Sequence, residues 1–138
     1  MTEAQLHEAV CKYISHMYPG VIFNSDMSGV KLTKGQAIRA SKLRSSRGFP
    51  DIVIYEPKYQ GVQISFSGCL FIELKRKGVK ITKKDGTLVS DTHIREQAAM
   101  IQELRERGYV AEFACGFDQA KQIIDKYLAY ETSRNPKV

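Results

Sequence analysis

Leu6, Val10, Tyr13, Ile14 and Met17 recur at helical spacing behind Thr2-Glu-Ala-Gln5, a segment with capping-box spacing. The pattern predicts a helix over about residues 3–17, stopped by Pro19-Gly20. Val21-Ile-Phe23 is a short strand candidate. The polar stretch 26–50 is too long for a structureless connection in a compact domain. Gly35 to Leu43 is expected to supply a short helix there, with Ala37, Ile38 and Leu43 inward. Ile52-Val-Ile-Tyr55 reads as a buried strand ended by Pro57, and Val62, Ile64 and Phe66 alternate as a strand or hairpin arm does. Cys69 to Lys75 is the clearest strand, and Lys84-Asp-Gly-Thr87 carries a hairpin-turn signal. Behind the cap candidates Ser90 and Asp91, a stripe of Ile94, Ala98, Ile101 and Leu104 predicts a helix over 92–107 that Gly108 ends. Tyr109 to Cys115 reads as a strand. Phe117 to Tyr130 reads as a last helix with Ile123, Ile124, Tyr127 and Leu128 inward, followed by a frayed tail over 131–138. The expected fold is α/β: one domain over residues 1–130, a small mixed β-sheet flanked by helices in the order α-β-β-β-α-β-α.

Composition narrows the class. A chain of 138 residues suits one core, and 43% hydrophobic with 26% charged residues argues against disorder or a fibrous repeat. No apolar run approaches the ~18 residues that span a bilayer, so no membrane partner is expected. The start Met1-Thr-Glu-Ala-Gln-Leu-His-Glu8 lacks the basic and apolar blocks of a signal peptide. Cys11, Cys69 and Cys115 are widely spaced without a Cys-x-x-Cys pair, which disfavours a disulfide framework or a structural zinc site. The expected setting is a reducing cytoplasm, a host cell's if the protein is viral.

Charge is segregated. The net charge is +6, yet six bases (Lys31, Lys34, Arg39, Lys42, Arg44 and Arg47) lie between Asp26 and Asp51 with no acid among them. Six more (Lys75, Arg76, Lys77, Lys80, Lys83 and Lys84) fall in the ten residues from 75 to 84, again without an acid. The remaining nine bases face fifteen acids, so the rest of the chain is net −6. Two such clusters form the sequence footprint of a polyphosphate-binding face.

Each cluster adjoins a carboxylate. Gly48-Phe-Pro-Asp51 places an acid where a loop enters a strand. In Phe71-Ile-Glu-Leu-Lys75, Glu73 and Lys75 leave the same strand face, while Ile72 and Leu74 leave the other. Neighbouring strands lie about 4.8 Å apart, so Asp51 and Glu73 can grip one cation if their strands pair. An oxygen-only set of this kind suits Mg²⁺ or Mn²⁺, with Lys75 near a phosphate or an attacking water. Taken alone, Glu73-Leu-Lys75 also fits a solvent-facing strand with a local ion pair. The joint arrangement of two acids on consecutive strands, flanked by basic segments, favours chemistry.

Pro50-Asp51 followed by Glu73-Leu-Lys75 resembles the signature of PD-(D/E)XK nucleases. Gly48-x-Pro-Asp51, Phe71-Ile-Glu-Leu-Lys75, Gln97, Leu104-x-x-x-Gly108-Tyr109 and the segment Gly116 to Leu128 are similar to their virus-type replication-repair nuclease (VRR-NUC) family, over about residues 3–130. The resemblance implies a restriction-endonuclease-like core. It implies Asp51, Glu73 and the Leu74 backbone carbonyl as ligands of Mg²⁺ (or Mn²⁺), Lys75 as catalytic lysine and Gln97 as an extra active-site glutamine. It also implies an acid from the first helix, for which helical geometry selects Glu3 over Glu8. DNA would be held by Lys31, Lys34, Arg39, Lys42, Arg44, Arg47 and Lys77. The implied activity is metal-dependent DNA endonuclease, foremost a homodimeric resolvase of four-way (Holliday) junctions.

Two departures from the family pattern stand out: the long segment Arg76 to Arg95 before the glutamine helix, with Ile94 where a serine is usual, and an apparent insertion over Gln60 to Ser67. Either one suits an accessory hairpin. Two alternatives stay open: a monomeric nicking or flap nuclease of the same fold, and a non-catalytic nucleic-acid-binding protein using the same basic faces.

Overall fold

The computed structural model describes residues 1–26, 31–57, 59–60, 63–64 and 68–134. Helix α1 (Glu3–Met17) opens with the expected capping box: the Thr2 hydroxyl accepts from the Gln5 amide, and the Gln5 side chain accepts from the Thr2 amide. Strand β1 (Phe23–Ser25), helix α2 (Lys34–Ser41) and strand β2 (Ile52–Ile54) follow. Strands β3 (Tyr59–Gln60) and β4 (Gln63–Ile64) form a small separate antiparallel pair. Then come β5 (Leu70–Lys75), α3 (Thr92–Glu106), β6 (Val110–Cys115) and α4 (Phe117–Arg134). Val62 and Phe66, expected in a strand, lie outside the described residues.

The main sheet has the order β1-β2-β5-β6. Its first three strands are antiparallel neighbours, while β5 and β6 run parallel. A parallel pair needs a long crossover, and the connection through α3 supplies it. The register sets Ile52 opposite Ile72 and Ile54 opposite Leu70. Ile52, Ile54, Leu70, Ile72 and Leu74 therefore share one face, fully buried with Leu6, Val10 and Ile14 of α1 and Ala120, Ile124, Tyr127 and Leu128 of α4. Each such aliphatic side chain contributes roughly 1.5–3 kcal/mol by leaving water. By alternation, Phe71, Glu73 and Lys75 face the other side, where α3 packs along β6.

The hairpin signal at Lys84–Thr87 is realised. The Lys83 amide bonds to the Thr87 carbonyl, the Val89 amide bonds to the Ile81 carbonyl, and Gly86 takes a positive φ at the tip. Asp91 caps α3 by accepting from the Ile94 amide at 3.0 Å. No helix among the described residues is long and apolar enough to cross a membrane.

Three expectations need correction. The first strand begins at Phe23 rather than Val21, because the Val21 amide is committed to the Tyr18 carbonyl in the turn that leaves α1. Helix α2 forms, but Ala37, Ile38 and Leu43 do not face inward. None of its residues is buried, and Ile38 and Leu43 are 50% and 77% exposed. Eight residues give too little apolar face to pull the helix onto the sheet. The last helix continues past Tyr130 to Arg134; residues 135–138 of the expected tail lie outside the described residues.

Candidate active site

Asp51 directly precedes β2, and the pairing of Ile52 with Ile72, carried back one residue, sets it opposite Glu73. Both acids are buried, at 3% and 1% exposed, on the face away from the hydrophobic core. Asp51 is pinned there: its Oδ2 accepts from the Leu74 amide at 2.7 Å. Glu73 is held by α3, since Gln97 Nε2 donates to Glu73 Oε2 at 3.0 Å. Lys75, half-buried, leaves the same face two residues further along β5.

The loop before Asp51 is fixed by close contact with the same helix. Gly48 has φ +84°, and a Cβ there would lie 2.8 Å from the Glu96 carbonyl oxygen and 3.3 Å from the Gln97 nitrogen. Only glycine accepts both that backbone conformation and that approach. Gly48 and buried Pro50 thus connect the placement of Asp51 to that of Gln97. The Gly-x-Pro-Asp spacing in the sequence acquires a physical cause.

Burial drives the Glu73 carboxyl up to about 10. The charge of Asp51 and its hydrogen bonding push in the same direction, Lys75 pulls back, and the charge of Asp26 adds a smaller upward push. Glu73 Oε1 and Gln97 Oε1 are buried and find no hydrogen-bond partner. Two orphaned acceptor oxygens beside a second carboxylate are costly in an apolar setting, and a cation relieves that cost. Among the described residues no three or more His, Cys, Asp and Glu side chains converge as a ready-made cage. The donor set is two carboxylates and amide oxygens, which fits Mg²⁺ or Mn²⁺: such ions take one or two carboxylates and keep several waters.

A groove of about 1070 Å³ lies at the C-terminal ends of β5 and β6: Arg76, Lys77, Phe113 and Cys115 line it, whereas Asp51, Glu73, Lys75 and Gln97 do not.

The other expected site residues are distributed as follows. Glu3 is exposed in the first turn of α1; the inward positions are Leu6, His7, Val10 and Ile14. An inward-facing Glu3 is therefore corrected: it shares the helical phase of Leu6 and Val10 but, at the start of the helix, is left exposed. Glu8 is exposed and pairs with Lys12 at 3.5 Å. Lys31, Lys34, Arg39, Lys42, Arg44, Arg47 and Lys77 are all exposed. Ile94, in the first turn of α3, is buried. His7 is buried and hydrogen-bonded to the Ser25 hydroxyl, so it serves packing between α1 and β1.

One acid escaped the sequence reading. The Asp26 amide donates to the Asp51 carbonyl at 2.9 Å, which extends the β1–β2 ladder and sets Asp26 across from Asp51. The only sequence signal was its position as the last acid before the basic stretch. With the strand read as Val21 to Phe23, its register remained unknown.

No protein-family model matches the sequence, and no curated protein does. Among solved structures the chain is similar to one described as a "VRR_NUC domain protein", with a TM-score of 0.58 at 18% identity, over 94% of this chain and 89% of that one.

Proposed function

Starting from a chain that shares its fold with a VRR-NUC domain protein, we propose that this protein is a divalent-metal-dependent DNA endonuclease. One observation carries the reading: a buried carboxylate pair on adjacent strands, one member holding an oxygen without a partner, with a lysine beside it. A pure binding protein gains nothing from two buried acids that repel phosphate.

Asp51 and Glu73 would hold Mg²⁺ or Mn²⁺, with the Leu74 carbonyl as the family's third oxygen. When bound, such an ion neutralises charge on the scissile phosphate and makes a water nucleophilic near neutral pH. The chain's own residues do the rest. The Leu74 amide fixes one Asp51 oxygen, and Gln97 fixes one Glu73 oxygen, so the pair needs little rearrangement on loading. Lys75 presents an ammonium donor to a non-bridging phosphate oxygen or to the attacking water. Water adds to phosphorus in line and loses its proton to solvent, and the P–O3′ bond breaks as the leaving 3′-oxygen takes a proton from solvent, leaving a 5′-phosphate and a 3′-hydroxyl.

The exposed bases of 31–47 and Lys77 hold the DNA in this reading. The preferred substrate is branched, a four-way junction cut by a homodimer whose two-fold axis presents two sites. Asp51→Ala or Glu73→Ala is expected to abolish Mg²⁺-dependent cleavage while DNA binding and the circular-dichroism spectrum persist. Cleavage retained in either variant refutes the assignment. Sedimentation of the free protein, with a panel of linear, flapped and four-way substrates, separates the resolvase from a monomeric nicking enzyme.

A further inference from the structure

The sheet face that carries the proposed cation pair has a third acid that the family pattern does not use. Ser25 pairs with Ile52, on the core face, and its hydroxyl meets buried His7 of α1. Asp26 follows Ser25 and continues the ladder through its amide bond to the Asp51 carbonyl. Alternation therefore turns Asp26 to the opposite face, in one cross-strand row with Asp51 and Glu73. The row ends at an oxygen that points to a ligand: Glu73, 1% exposed, keeps Oε1 buried without a partner.

We propose that Asp26 is a third carboxylate of the cation site, acting across the hydration shell of an ion held by Asp51 and Glu73. This rests on the reading of those two residues as the cation-holding pair. Two strand spacings separate Asp26 from Glu73, roughly 10 Å between backbones, too far to share an inner coordination sphere. That agrees with the lack of a three-acid cage among the described residues. It is near enough for Asp26 to accept hydrogen bonds from water on a small, strongly hydrated ion such as Mg²⁺. The exposed position of Asp26 at the outer end of the row leaves it open to water, as such a role requires. Asp26 is thus a positioning residue, joining the basic segment to the catalytic strands.

The test is Mn²⁺ binding to the full chain without DNA, followed by calorimetry and by water-proton relaxation. Asp26→Asn is expected to weaken Mn²⁺ affinity by about tenfold, the usual scale for an outer-shell partner. Asp26→Glu should restore most of it, and both variants should keep the wild-type circular-dichroism spectrum without metal. Glu8→Gln, an exposed acid on α1 paired with Lys12, is the charge control and should bind as wild type does. Wild-type binding with undiminished affinity in Asp26→Asn overturns this inference alone. Equal weakening in Glu8→Gln also overturns it, by showing a general charge effect. Absence of Mn²⁺ binding in the wild type overturns both it and the cation-pair reading.

Discussion

A glutamic acid held to 1% exposure between a second carboxylate and a glutamine works against stability before it serves chemistry. Glu73 is raised from an ordinary 4.5 to about 10, first by burial and then by Asp51. Between those two values the unfolded chain has released the proton that the folded chain retains, so stability falls as pH rises. The slope approaches about 1.4 kcal/mol per pH unit inside that window and vanishes below it, where both states are protonated. Glu73→Gln removes this term, so in metal-free buffer it should stabilise the protein relative to wild type, increasingly from pH 5 to pH 9. Urea unfolding at three pH values measures the divergence; parallel profiles would show that Glu73 is solvated as an ordinary acid. Adding Mn²⁺ should reverse the order, because the ion favours the ionised pair that glutamine cannot supply. That a Glu–Leu–Lys triplet presents its two polar residues to one face was legible from strand alternation alone. That Gln97, twenty-four residues on, closes over Glu73 was suggested by family resemblance and not by any local pattern, since a non-local contact leaves no periodic trace.

At the level of elements, the site is an agreement between three segments: the Gly48–Asp51 loop, β5 and α3. Gly48 is where that agreement is most exposed to mutation. Gly48→Ala places a methyl group 2.8 Å from the Glu96 carbonyl at a φ of +84°, so either the loop or the helix must shift. The expected loss is about 1–3 kcal/mol, visible as a lower thermal midpoint. Cleavage should fall further than stability explains, because the shift separates Asp51 from Glu73. An alanine variant with wild-type melting and wild-type rates would remove the loop–helix contact from the account. The sequence made most elements visible for ordinary reasons: the Thr2–Gln5 capping box, the Gly86 turn and the Asp91 cap are local chemistry. Helix α2 was read correctly as a helix and wrongly as a packed one. Thr33 and Gln36 close its capping box whatever lies nearby, whereas inward packing of Ile38 depends on a surface that the sheet does not offer. β1 was misplaced by two residues for a related reason: the turn hydrogen bond from Val21 decides where extension starts, and apolar character does not.

Across the whole molecule the bases of the first cluster sit where they contribute least to the fold. Lys34, Arg39 and Lys42 lie on or next to a helix that buries nothing, so their charges were not selected by packing. A duplex phosphate ladder is the partner that rewards an unpacked basic helix, through release of condensed counterions. Replacing all three by glutamine should therefore leave the melting temperature within the range of neutral surface changes, about ±0.5 kcal/mol per site. DNA affinity should drop, and the log–log salt slope should become shallower by about 2.7 if each base meets one phosphate. Titrating labelled duplex between low and moderate salt reads that slope directly. A variant with lower affinity and an unchanged slope would mean that α2 acts through its exposed Ile38 and neighbouring Leu43 rather than its charges. A variant with neither change would move the DNA to the second cluster, where Arg76 and Lys77 rim the groove beside Lys75. In the proposed reading, these outcomes separate a substrate-holding face from a cutting one. The two groups of charges are spatially distinct: Asp51 and Glu73 are buried at the sheet, and the bases of residues 31–47 are displayed on a segment the core does not need.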